Sequence, residues 1–223
     1  MSRPLALALD YSVVDHLHRI SMGAYPGADA APLLRLRIAA ETGVVETWGA
    51  EITFVEMFLG IQKVSEREEA LRTARAKDEA KQGIMREMRV RRLGYPGSRC
   101  GDKYSLLGYS MRCAGPDTGA AILLEERLRR TPGVSEGDAR QLVSCAYPFD
   151  GDSLTFGCHL DWFVTEDARL VRAIKAASPA GAFPELERLR IGTAADVVAE
   201  HPDVFAGPTG DLGRVSAAPE VMK

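Results

Sequence analysis

The sequence is sparing in the residues that announce many familiar chemistries. Aromatics make up 7% of the 223 residues, and there are four cysteines, Cys100, Cys113, Cys145 and Cys158, with no C-x-x-C pair among them. So thin an aromatic set argues against a base-stacking platform as the main recognition device. Widely spaced cysteines supply neither a zinc-ligand pattern nor a disulfide scaffold, and they read as reduced thiols. No run approaches the roughly 20 apolar residues of a membrane span. The opening stretch meets Asp10 too soon to hold the apolar core of about 7–15 residues that a secretory leader needs. These absences lead us to expect a cytoplasmic protein with no membrane partner.

Several catalytic signatures are missing as well. There is no G-x-x-x-x-G-K-[ST] phosphate loop and no G-x-S-x-G elbow, and Asp10-Tyr11-Ser12 lacks the second aspartate of a D-x-D nucleophile loop. The histidines number four, and His16 and His18, two apart, cannot share a helix face, so they read as structural. Neither sign of charge dominates: 28 Lys+Arg against 31 Asp+Glu give a net charge of −3. That excludes a polycation but leaves room for a clustered basic patch.

What is present is a pattern of short apolar strands alternating with helices. Leu5-Ala-Leu-Ala-Leu9 has no polar alternation, which suits the buried centre of a parallel sheet. Helical spacing follows over Tyr11–Ile20 and over Leu33–Thr42, the second closing at Gly43 as a C-cap. Val44 and Val45 begin a second strand, and Trp48–Gln62 reads as a helix. Ser65–Leu93 is a charged, solvated helical stretch with Ala70, Leu71, Ala74 and Ile84 as its apolar seam. Tyr95–Gly119 is a long irregular connection, and connections of that length are usually functional. Ala120–Arg130, Ser135–Ala146, Asp167–Ala177 and Thr193–Glu200 read as helices. Trp162–Val164 is a strand and Leu186–Ile191 an edge strand. The expected architecture is α/β with a parallel sheet, one domain over 1–205, a helical and loop insertion over 65–119, and a frayed tail over 206–223.

In such sheets ligands bind beyond the carboxyl ends of the strands, and that rule selects four acids. Asp10 directly follows the first strand, where it is either a helix cap or a ligand. Glu56 belongs to the inward side of its helix, four residues after Ile52 and three before Leu59, so its carboxylate needs a compensating partner. Asp167 follows the Trp162–Val164 strand, with Thr165 as N-cap in the bland reading and the acid as a ligand in the sharper one. Asp138, three residues after Ser135, fits a capping box and equally a ligand, with Asp152 as substitute. Converging carboxylates with no evident buried cation suit Mg²⁺ or Mn²⁺. Arg86, Arg89, Arg91 and Arg92 gather at the end of the charged stretch as candidate phosphate contacts.

The apolar strand ending in Asp10, the segment Thr53-Phe-Val-Glu56-Met-Phe-Leu-Gly60, the element Phe163-Val-Thr165-Glu-Asp167 and the closing Ile191-Gly-Thr-Ala-Ala-Asp196 together resemble the PIN-domain nucleases. The resemblance covers roughly residues 5–62 and 135–200. It implies an α/β/α PIN-like domain and a metal-dependent ribonuclease whose acids are Asp10, Glu56, Asp138 and Asp167, assisted by Thr165. It implies RNA as substrate, bound by the arginine group. Many members are toxins of toxin–antitoxin pairs, which suggests an antitoxin protein and a homodimer as partners. The reading from another functional class is a noncatalytic PIN-like module that binds RNA or protein through its insertion.

Overall fold

The computed structural model describes residues 3–50, 52–54, 68–94, 118–150, 155–156, 158–177 and 181–206. Glu56, Asp152, Cys100, Cys113, the irregular connection over 95–117 and the tail over 207–223 lie outside the described residues. No described helix is long and apolar enough to cross a membrane.

Five parallel strands form the frame: β1 (Leu5–Leu9), β2 (Val45–Ala50), β3 (Arg91–Gly94), β6 (Trp162–Val164) and β7 (Arg190–Gly192). A short antiparallel pair, β4 (Phe149–Asp150) and β5 (Thr155–Phe156), extends the β3 edge, so the order is β5-β4-β3-β2-β1-β6-β7. β1 is central because its five residues carry no polar side chain that water would need to reach. Leu7 and Leu9 enter one core layer while Ala6 and Ala8 enter the other, the strict alternation of a strand covered on both faces.

Helices cover both faces. On the Leu7–Leu9 side lie α1 (Tyr11–Ser21), α2 (Ala31–Glu41), α3 (Glu68–Glu87) and α7 (Ala194–Glu200). On the Ala6–Ala8 side lie α4 (Thr118–Arg129), α5 (Glu136–Ala146), α6 (Ala168–Ala177) and a 3₁₀ turn at Pro184–Leu186. This is the expected α/β/α layering. Gly43 ends α2 at φ +76, and Val44 and Gly43 donate their N–H groups to Ala39 and Ala40 at 2.9 and 3.1 Å. A left-handed residue is required there, so the C-cap falls where expected.

Two expectations are corrected. Trp48 and Gly49 belong to β2, and the helical backbone among the described residues of that segment lies at 52–54. The helical spacing of Trp48 with Ile52 coincides with a strand whose Val45, Thr47 and Trp48 favour extended backbone. A Cβ at Gly49 would lie 3.2 Å from Phe54 and Val90 and 3.3 Å from Met85, so those side chains would have to give by a few tenths of an ångström to admit one. The charged stretch likewise stops being helical at Glu87, and Arg91–Gly94 pairs with β2 as a member of the sheet.

The inner face of α3 is less apolar than its seam suggested. Lys81 is buried, and its Nζ donates to the Tyr11 hydroxyl at 2.5 Å and to Asp15 Oδ1 at 2.6 Å, so α3 is pinned to α1. Burial alone would raise the Asp15 carboxyl, but the hydrogen bonds and charges of Lys81 and Arg19 outweigh it and hold the group below 3.8. Burial would likewise lower Lys81, yet its bonds to Asp15 and Tyr11 leave it above 10.5. Because the acid is lowered, its contribution to stability is present above about pH 4 and fades as pH falls through the folded value. Because the base is raised, its contribution is complete below pH 10.5 and fades above that. Replacing Lys81→Met is expected to cost about 1–3 kcal/mol at neutral pH, since it leaves the half-buried Asp15 carboxylate with Arg19 as its remaining cation. Urea melts at pH 7 and pH 3 check it: the deficit should shrink at pH 3, and an equal deficit at both would refute the ion-pair account.

Candidate active site

The strand order locates the site before any side chain is considered. From β1 the chain moves to one side through β2 and β3, then returns to the other side through β6 and β7. The connections therefore diverge at the β1–β6 junction, and ligands in open α/β sheets bind in the crevice beyond the carboxyl ends at such a point. The residues just past those ends are Asp10 and Thr165. The pairing Leu9↔Val164 brings them side by side, and Asp10 N–H continues the ladder to Val164 O at 2.9 Å. Alternation puts both side chains on the α5 side of the sheet, with Ala8 and Phe163.

Both are buried, and they touch. Thr165 Oγ1 donates to Asp10 Oδ2 at 2.7 Å, and Ser12 Oγ donates to the same oxygen at 2.5 Å. Gln141, buried on α5, donates Nε2 to Asp10 Oδ1 at 2.9 Å. Each hydroxyl has one hydrogen, and both hydrogens go to Asp10, so the 3.2 Å Ser12–Thr165 approach has no proton to share. The two hydroxyls instead accept from the chain: Ser12 from the Glu166 N–H at 2.9 Å and Thr165 from the Asp167 N–H at 3.1 Å. Backbone amides thus polarise the hydroxyls that hold the carboxylate, a connected network in a low-dielectric setting.

The fate of each expected residue follows. Asp10 occupies the N-cap of α1 in an extended conformation, yet its side chain makes no capping bond. The simple cap explanation therefore fails for this acid, whose oxygens face the strand junction. Asp167, by contrast, does cap: Oδ1 accepts from the Arg169 and Leu170 N–H groups at 2.8 and 3.2 Å, and Oδ2 pairs with Arg169 at 3.2 Å. The cap of α6 is thus Asp167 rather than Thr165. Asp138 forms a capping box with Ser135, its Oδ2 accepting the Ser135 N–H at 2.8 Å. It stands one turn before Gln141 on the same helix face. Among the described residues, no three His, Cys, Asp or Glu side chains converge as a metal site. The physical reason is that Asp138 and Asp167 hold their own helix ends.

The arginines do not form one patch. Arg91 lies over the Trp48 ring at 4.1 Å and pairs with Asp150, whereas Arg92 lies over Phe54 at 4.9 Å on the other sheet face. Arg86 is exposed near the end of α3. Arg89 takes φ +54, and its guanidinium lies 3.4 Å from where a Gly43 Cβ would stand, at the start of β2 and so at the far end from Asp10. Arg92, level with Gly49 and through it with Leu9, is the one nearest the carboxyl edge in register.

Gln141 is the functional candidate that sequence reasoning missed. The available signal was a polar residue three after Asp138, on a helix whose Ala139, Leu142 and Val143 face the core. Among the described residues, the buried Gln141 Oε1 and Thr53 Oγ1, the latter just past β2, have no partner. A cleft of about 820 Å³ opens elsewhere, at the β7 edge around Ile174, Phe183 and Leu186, and it includes none of the residues that touch Asp10.

Compared with family models, curated proteins and solved structures, the chain gives no significant match.

Thr165→Val keeps the shape but removes a donor from Asp10 and the acceptor of the Asp167 N–H. Stability should fall by about 1–3 kcal/mol, with Thr165→Ser recovering most of it, as read from urea midpoints at unchanged slope. A neutral Thr165→Val would show that the network carries no weight.

Proposed function

We propose that this chain hydrolyses RNA phosphodiester bonds with the help of Mg²⁺ or Mn²⁺, as its resemblance to PIN-domain ribonucleases implies. The observation that carries the reading is Asp10: a buried carboxylate at the topological switch point, turned away from the helix it could cap and held among the described residues by three neutral donors. With no Arg or Lys on it, its charge is left to be balanced by a ligand.

The donor chemistry fits a hard divalent ion. Every group on Asp10 is oxygen- or amide-based, and the orphaned Gln141 Oε1 and Thr53 Oγ1 add unclaimed oxygens at the same end of the sheet. Asp10 would hold the ion, with Asp138, Asp167 and Glu56 as the further acids of the proposal. The ion would draw charge from the scissile phosphate and acidify a water. Thr165 and Ser12 orient Asp10, and the amides of Glu166 and Asp167 hold those hydroxyls in turn. The N-terminus of α1, which no side chain caps among the described residues, favours a phosphate at this edge. Arg92 lies nearest the carboxyl edge in register, on the Leu9 face of the sheet, and is the arginine offered as a backbone contact. A toxin role, an antitoxin partner and a homodimer belong to the same proposal and rest on the resemblance alone.

The capping bonds of Asp138 and Asp167 favour the second reading, a noncatalytic module that binds RNA or protein. One experiment separates the two. Purified protein incubated with unstructured RNA should cleave it with Mn²⁺ and not with EDTA, and Asp10→Asn should slow cleavage about 10²-fold or more. Cleavage that persists in EDTA, or in Asp10→Asn at the full rate, would sink the nuclease proposal. RNA retention without cleavage under any metal would favour the module.

A further inference from the structure

A carboxylate offers about four lone-pair positions, two on each oxygen. On Asp10, Oδ2 has both in use, one by Ser12 and one by Thr165, whereas Oδ1 has one, used by Gln141. The open position of Asp10 is therefore on Oδ1, beside the Gln141 amide. The amide orientation is set by its neighbour: turning the carbonyl toward Oδ1 would place two acceptors together, so Nε2 is the atom on Oδ1 and Oε1 is the other end of the same amide. That Oε1 is buried and unpartnered, a state that costs about 1–3 kcal/mol unless something satisfies it.

We propose that Gln141 is a positioning residue that makes Oδ1 the ligand atom of Asp10 and offers its own carbonyl to a hydrated divalent cation bound there. The inference rests on the cation-dependent reading of the site. It assigns to Gln141 a role that neither the acids nor the resemblance supplies. A residue that only filled space would leave Oε1 against apolar atoms with no gain, and a leucine would serve better there. Retaining an amide, with one end holding the carboxylate and the other buried without a partner, is the arrangement expected of a group that completes a ligand shell from one step away.

The test uses the full chain and Mn²⁺ alone as probe, followed by calorimetric titration and by thermal melting with and without the ion. Wild type should bind Mn²⁺ and melt higher with it. Gln141→Leu should weaken Mn²⁺ binding about tenfold or more while its helical and sheet signals stay unchanged. Gln141→Glu sets a second carboxylate beside Oδ1, so Mn²⁺ should bind more tightly than to wild type. If wild type binds Mn²⁺ and the two variants match its affinity, the role of Gln141 is overturned and the cation site stands. If wild type itself binds no Mn²⁺, the cation reading falls and Gln141 with it. Should the leucine variant fail to fold, the glutamate variant decides: affinity at or below wild type overturns the inference.

Discussion

The structure turns on one buried carboxylate at the junction of β1 and β6. Desolvating Asp10 costs several kcal/mol unless its oxygens receive hydrogen bonds, and the fold supplies three side-chain donors from three different elements. Thr165 comes from the end of β6, Ser12 from the first turn of α1 and Gln141 from the middle of α5. Each of these elements is fixed in part by the need to reach the same two oxygens. The sheet's register at its centre and the chemistry of its carboxyl edge are thereby one constraint.

The acids divide according to how their helices begin. Asp138, Asp167 and Asp196 satisfy exposed or half-exposed amides at helix starts, a use worth about 0.5–2 kcal/mol each. Asp10 forgoes that use and is satisfied by side chains instead. At the opposite edge of the sheet, Asp161 accepts from the Ala6 N–H and pairs with Arg3 and His159. Burial would raise its carboxyl, and those partners more than reverse the effect. The two ends of the same central strands thus carry acids of different character: one paired with an arginine, the other ringed by neutral donors. That contrast is what gives the carboxyl edge its distinct chemistry.

Much of the frame was legible in the residues themselves. Leu5–Leu9 and Trp162–Val164 read as buried strands because they lack polar alternation. Gly43 read as a helix end, and Asp10 with Thr165 read as neighbours of strand ends. The second strand was less legible: Val44 and Val45 read as its start, but Trp48 to Ala50, which complete it, read as the beginning of the next helix. Lys81 was hidden for a related reason: a lysine in a charged helix looks solvated until the helix is laid against Tyr11 and Asp15.

By itself the sequence determined local matters: which runs are apolar enough to be strands, where helices start and stop, and which acids follow strands. These follow from periodicity and from capping chemistry within a few residues. Only the tertiary structure decided that Gln141 lies on Asp10, 131 positions away in the chain, and that the Thr165 hydroxyl is drawn to the same carboxylate across 155 positions. Those outcomes depend on strand order, on the alternation of side chains across the sheet and on which helix face packs inward. No local pattern encodes them, because each is a distance between segments that become neighbours only when the sheet is assembled.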